Sequence, residues 1–331
     1  MYRLYSRNSI VCLAAILVCS GAVGAPIKAS KSKQFDAKKL TALKAELDSA
    51  CKKLKGRAGY HLRLLNSGQE IGFKETEVFP AASTIKTAVM VEAIRRIDAG
   101  TLKWTDKMAI PTDPSKRESS MWSFFMKENL KLDLDAWVNL MITYSDNTAT
   151  ITTRDWLGTM NVNATMEALG LKNTKILGNA PESATSVRRY RRQFGMGMTT
   201  PAEMNQLMYL IYSQKAASKD GCDKMIRILS HQYWDDFIGA TVPPGTMVAS
   251  KSGAINRSRS EAAIVYSSDQ PYIITIYTDS QTDKRWTGEN EGDLLIRKIG
   301  SRVWNTLHPN RPYQISKNYL ERFSPTGGGV E

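Results

Sequence analysis

The alternation of apolar and polar positions divides the chain into helical and extended stretches. Leu40, Leu43, Leu47 and Leu54 recur at helical spacing among Lys and Glu and predict an amphipathic helix over 36–54. Residues 60–65 and 70–73 read as two strands around Asn66-Ser67-Gly68, the chemistry of a β-hairpin turn. A long helical period then opens at Ser83, runs through Val89, Ile94 and Ile97, and stops at Gly100. Helical signals dominate from there to about residue 234. Within them, 134–144 is started by Asp133 or Asp135, and 202–212 follows Thr199-Thr200-Pro201, where Thr and Pro are good helix starters. Residues 246–250, 262–267 and 272–278 return to β-branched and aromatic types, with the turn Ser268-Asp269-Gln270-Pro271 between the last two. A closing helix sets Leu295, Ile299, Val303 and Leu307 on one face.

This order predicts a mixed α/β (α+β) class. Strands from both ends of the chain share one antiparallel sheet, terminal helices flank it, and an all-helical lobe is inserted. The boundaries read from the pattern are an α/β lobe of 36–82 plus 241–310 and a helical lobe of 83–240, together one domain of 36–310.

Composition changes the picture mainly at the ends. An apolar run over 10–18 follows Arg3 and Arg7 and precedes small residues, which predicts a signal peptide over 1–25 with its exit near Ala22 or Ala25. The run is shorter than the roughly 18 residues a membrane span needs, so the expected location is periplasmic or secreted. A Lys/Ser-rich lead over 26–35 and a polar tail over 311–331 read as flexible. Cys12 and Cys19 leave with the signal, and Cys51 with Cys222 remain either as a bridge or as two buried thiols.

The net charge is +13, with one concentration in Arg188-Arg189-Tyr190-Arg191-Arg192. Such a chain is drawn to anionic wall or surface polymers, while no nucleic-acid reading module is present. His61, His231 and His308 lie far apart without carboxylates or cysteines at ligand spacing, so neither a metal nor a cofactor is expected. No Gly-x-Ser-x-Gly elbow is present either, which argues against a Ser-His-Asp hydrolase.

The candidate chemistry begins at Ser83-Thr84-Ile85-Lys86, which puts a hydroxyl and an amine one helical turn apart on a shared face. A serine is a weak nucleophile unless a base adjoins it, and a lysine desolvated by burial can serve. Alone the spacing means little, since Ser30 with Lys33 and Ser49 with Lys52 repeat it. Further along, however, stand Ser145-Asp146-Asn147 after a strongly patterned helix and Lys251-Ser252-Gly253 on a strand. In order, approximate spacing and setting, this trio resembles the signature of the class A β-lactamases and penicillin-binding proteins. Residues 140–149, Ala168-Leu169-Gly170-Leu171 and Thr199-Thr200-Pro201 are also similar to stretches of that family, and the likeness spans about 40–305.

The resemblance implies a serine β-lactamase/DD-peptidase-like fold and a cofactor-free, monomeric serine hydrolase. Its substrate would be a small-molecule β-lactam or a D-alanyl peptide. Ser83 would attack the carbonyl, Lys86 would act as base or proton relay, and Ser145 would pass the proton to the leaving nitrogen. Asn147 would bond Lys86 and the substrate amide, and Lys251 with Ser252 would hold the substrate carboxylate. Gly253 completes the third motif, and the N–H groups of Ser83 and Ala254 would form the oxyanion hole. Taken singly, Lys251 could be an edge-strand charge and Ser145-Asp146-Asn147 a capping turn. Trp122 reads as a cleft wall or as a core residue.

One departure stands out. The family's deacylating glutamate precedes a proline, but the matching stretch here is Gly178-Asn179-Ala180-Pro181-Glu182, with Ala180 in the glutamate's place. Glu182 is the remaining candidate for that role, and slow release of the acyl group is the expected consequence. The alternatives are a D-alanyl-D-alanine carboxypeptidase or a non-catalytic, cationic wall-binding protein.

Overall fold

Asp36 accepts hydrogen bonds from the N–H groups of Lys38 and Lys39 and so starts α1 (Ala37–Lys53), whose Leu40, Leu43 and Leu47 are buried. The computed structural model describes residues 34–117 and 122–316. The signal segment, most of the basic lead and the end of the tail lie outside the described residues.

After α1 come β1 (Arg57–Leu64), β2 (Glu70–Phe73) and the short β3 (Phe79–Pro80). Ser83 does not open the long helix directly. It sits in a single 3₁₀ turn, Ala82–Ile85, which feeds α2 (Lys86–Asp98). The block that follows contains β4 (Lys107–Ala109), β5 (Lys131–Asp133), α3 (Leu134–Thr143), α4 (Asn147–Leu157) and α5 (Thr159–Ala168). It continues through β6 (Lys175–Ile176), α6 (Thr185–Phe194), β7 (Gly197–Thr199), α7 (Pro201–Tyr212) and α8 (Lys219–Leu229). The chain closes with β8 (Met247–Ile255), β9 (Ser258–Tyr266), β10 (Tyr272–Asp279) and α9 (Glu291–Leu307).

The main sheet runs β2-β1-β10-β9-β8, antiparallel throughout, so the first hairpin and the last three strands join as the pattern predicts. Alternation divides its side chains between two cores. On one face Leu62, Ala263, Ile274 and Ile276 pack with Leu43 and Leu47 of α1 and Ile299 and Val303 of α9. On the other, Ala249, Ala262, Ile264 and Ile273 meet the inserted helices through Val89, Leu207 and Met225. The protein is thus a mixed α/β fold of three layers, with the terminal helices on one face of the sheet and the helical block on the other.

The block is not purely helical. The strands β4–β5 form one small ribbon, and β3-β7-β6 forms a second sheet that ties the segment before Ser83 to the segment after α6. With two or three residues apiece, these strands are too short to show alternation. Cys51 and Cys222 are free thiols buried in the two different cores, so of the two outcomes open at sequence level the unbridged one holds. Desolvation pushes the Cys51 thiol up to about 12, leaving it protonated and inert. Among the described residues, no helix is long and apolar enough to cross a membrane.

Candidate active site

The three motifs meet where the 3₁₀ turn, the α3–α4 corner and β8 converge. Ser83 is half-buried in the turn, whose position is fixed from behind: the Thr84 hydroxyl lies 2.6 Å from the Ala81 carbonyl and 2.9 Å from the Tyr277 hydroxyl of β10. Ala82, immediately before Ser83, adopts φ +46°, a left-handed conformation that costs an alanine about 1–3 kcal/mol and persists only where the surroundings impose it.

Lys86 is fully buried at the start of α2. Its Nζ donates to the Asn147 Oδ1 at 2.6 Å, to the Ser145 carbonyl at 2.6 Å and to the Ser145 Oγ at 3.0 Å. This links the first two motifs directly. Ser145 itself has φ +59°, which turns its carbonyl toward the amine. The intervening Asp146 is buried and plays a structural part: it caps α4 through the Ala149 N–H at 2.7 Å, and accepts the Ser123 N–H at 2.9 Å and hydroxyl at 2.8 Å. The capping turn and the chemical motif are therefore the same three residues, and the two sequence readings do not exclude each other.

The third motif joins through Gly253. A Cβ there would lie 2.9 Å from the Ser83 backbone nitrogen and 3.0 Å from the Ala82 Cβ, so only glycine lets β8 pass this close to the turn that carries Ser83. Lys251 shares its strand face with Gly253 and, although β8 is an edge strand of the sheet, is fully buried and not exposed, its Nζ donating to the Ser252 carbonyl at 2.9 Å. Ser252 pairs with Glu261 of β9 and lies on the opposite face, and Ala254 follows half-buried. Burial pulls the Lys251 amine down to about 7, with the neighbouring Glu261 opposing the shift. Glu261 is itself pushed up to about 7 by desolvation, even though it accepts the Ile238 N–H at 2.7 Å.

The stretch carrying Ala180 and Glu182 behaves differently. Ala180 packs against the small apolar cluster of Leu177, Val187, Phe194 and Met198. The Glu182 side chain is 96% exposed, its nearest cation being Arg188 at 3.8 Å. The amide of Asn179 donates to Asp155 of α4 at 2.8 Å, and Lys116 reaches the same carboxylate at 3.3 Å, so the loop is tethered through its asparagine. Among the described residues, no group of three or more His, Cys, Asp or Glu could hold a metal ion.

Sequence reasoning missed the contributions of two residues, Asp146 and Glu261. Asp146 carried a signal, as the middle of its motif at a helix start. Glu261 did not, because only the β8–β9 register puts it beside the third motif. Trp122 was left open between wall and core; it is solvent-exposed, with its ring 5.3 Å from that of Tyr144.

No curated protein matches the chain. Among solved structures the fold is similar to that of PBP-A, with a TM-score of 0.71 and 26% identity over 82% of this chain and 97% of that one. It is similar too to a PBP-A mutant solved as an acyl-enzyme complex with penicillin G, at a TM-score of 0.71 and 25% identity, with the same coverage. A β-lactamase from Sphaerobacter thermophilus shares the fold at a TM-score of 0.69 and 22% identity, over 83% of this chain and 99% of that one. The profile of the beta-lactamase enzyme family matches residues 41–307, and the chain belongs to that family.

Proposed function

We propose that the protein is an exported serine hydrolase that forms an acyl-enzyme at Ser83 with β-lactams and D-alanyl peptides and releases the acyl group slowly. The observation that carries this reading is the Lys86 amine, buried one turn from Ser83 and bonded to both Ser145 and Asn147. In the reaction, the neutral form of the Lys86 amine takes the Ser83 proton as Oγ attacks the carbonyl, and Lys86 returns a proton to the Ser145 hydroxyl as Ser145 gives its own to the departing nitrogen. The N–H groups of Ser83 and Ala254 receive the developing oxyanion. Charged Lys251 attracts the substrate carboxylate from one face of the edge strand β8, the Ser252 hydroxyl approaches it from the other, and Asn147 orients the substrate amide.

Slow release is supported by the outward position of Glu182 and by an apolar residue, Ala180, where the family's water-activating carboxylate is expected. These observations favour the penicillin-binding D-alanyl peptidase over the fast lactamase. The predicted signal peptide and the basic surface fit a monomer working next to an anionic wall polymer. The test is a fluorescent penicillin followed by a chromogenic cephalosporin. Wild type should label stably with little turnover, and Ser83→Ala should not label at all. Labelling that survives Ser83→Ala would end the proposal.

A further inference from the structure

The helix α6, ten residues long, carries a charge that its own fold barely balances. Arg188, Arg189, Arg191 and Arg192 are all exposed, and α6 contains no acidic residue. Arg188 has one carboxylate in reach, Glu182 at 3.8 Å, on a side chain that itself stands in solvent. Among the described residues, Arg189, Arg191 and Arg192 make no ion pair. At about 100° per residue, Arg191, Arg188, Arg192 and Arg189 follow one another in steps of about 40–60°, a continuous band around the helix. Arg188 with Arg191, Arg188 with Arg192 and Arg189 with Arg192 stand three or four residues apart, so they repel and weaken the helix. The helix dipole eases this only in the last turn, where Arg191 and Arg192 lie. At the other end the cap residue, Ala184, supplies no side-chain hydrogen bond. The helix thus holds its charge at a cost that a bound anion would relieve.

The surroundings select the anion. Val187 and Phe194, the apolar side chains of α6, are buried with Leu177 and Met198, and the Tyr190 ring packs on Phe194 with centroids 6.0 Å apart. No apolar stripe of the helix remains to enter a bilayer, and no unengaged ring to stack on a base. What remains is guanidinium, a planar fork of N–H donors. One fork fills a flat carboxylate, whereas the tetrahedral oxygens of a phosphodiester accept from two neighbouring forks at once. Four forks within about 6 Å of helix axis call for several anions in a row, which a polymer supplies at high effective concentration. The position is also close to the acyl site. Just past the helix, the Gly197 carbonyl of β7 accepts the Ala81 N–H at 2.9 Å, two residues before Ser83.

We infer that the arginine band of α6 docks the protein onto a linear phosphodiester polymer, through its phosphates alone. This narrows the attraction of the whole basic chain to one helix and one kind of anion, and it stands apart from the acyl-transfer reading of Ser83.

The test is fluorescence anisotropy of a dye-labelled poly(glycerol phosphate) titrated with the full chain, beside fluorescent-penicillin labelling of the same sample. Wild type should saturate, and added salt should weaken binding. Arg189→Gln or Arg192→Gln alone should weaken it about fivefold, and Arg→Gln at all four positions about 10²–10³-fold, the usual weight of basic residues near an anionic surface. A control combining Lys38→Gln, Lys39→Gln, Lys53→Gln and Lys298→Gln removes equal charge from exposed sites on α1 and α9 and should cost less than about threefold. Circular-dichroism melting establishes that each variant is folded, and the single changes carry the test if the fourfold arginine variant is not. No saturation by wild type, or equal losses in the arginine and lysine variants, would overturn the inference. Polygalacturonate at matched charge and salt should bind about tenfold more weakly, and glycerophosphoglycerol at equal phosphate concentration should not displace the polymer. Equal affinity for the carboxylate polymer, displacement by the single diester, or tighter binding to oligothymidylate or anionic vesicles would also overturn it. Penicillin labelling without polymer binding sinks the docking helix and leaves the Ser83 reading standing. Polymer binding without labelling does the reverse.

Discussion

Around Ser83 and along residues 178–195, the same fold treats its polar groups in opposite ways. In the Ser83 pocket the Lys86 amine is buried and held by three acceptors, the neighbouring aspartate is buried and fully engaged, and two non-glycine residues are kept in left-handed conformations. Along 178–195 the carboxylate points into water, and α6 exposes Arg188, Arg189, Arg191 and Arg192 while burying only Val187 and Phe194. Preorganised dipoles and desolvated amines lower a barrier, whereas solvated side chains contribute little. On the proposed reading, the contrast falls between the two halves of an acyl-enzyme cycle, with groups gathered for bond-making and none for release.

Four experiments press on that contrast. Lys86→Met removes the proton acceptor and should slow acylation by fluorescent penicillin about 10²–10⁴-fold, the usual weight of a general base. An acylation rate within a factor of two of wild type would show that Lys86 is no more than a structural cation. In the opposite region, Ala180→Glu introduces a carboxylate where release lacks one, and single-turnover kinetics should show deacylation faster by up to about 10²-fold. Unchanged release would mean that the loop backbone, and not the missing acid, sets the rate.

A smaller effect concerns pH. The Lys251 amine is charged below about 7 and neutral above it, so acylation by an anionic β-lactam at sub-saturating concentration should fall as pH rises through 7. The negative charge of Glu261 favours the protonated amine, so Glu261→Gln should move this fall to lower pH, as stopped-flow labelling across pH 5–9 would reveal. A shift to higher pH would contradict the assigned coupling. Smallest of all, Glu182→Gln should leave both acylation and release unchanged, because its carboxylate is in solvent. A slower release in that variant would return Glu182 to the mechanism.

Much of this contrast was legible before any coordinates. The Leu40-Leu43-Leu47 face, the hairpin around Gly68, the capped helix ending at Thr143 and the three β-rich runs after residue 245 all formed where periodicity put them, because each buries one face against a large neighbour. The trio of motifs was readable because its chemistry lies in residue types at short spacing. Other features depended on contacts between distant segments. The 3₁₀ turn at Ser83 exists because β8 and Tyr277 press on it, and neither leaves a mark near residue 83. The Glu261–Lys251 neighbourhood is a matter of strand register. Ala180 was readable as a substitution, but the exposure of Glu182, two residues further on, has no mark in the residue types around it.

Asp146 has a mechanical consequence. One carboxylate grips both the start of α4 and the segment bearing Ser123, so the tryptophan next door cannot swing without tugging on the corner that holds Ser145 and Asn147. A displacement of the Ser123 segment is thereby geared to the start of α4 and to the side chains seated on that corner.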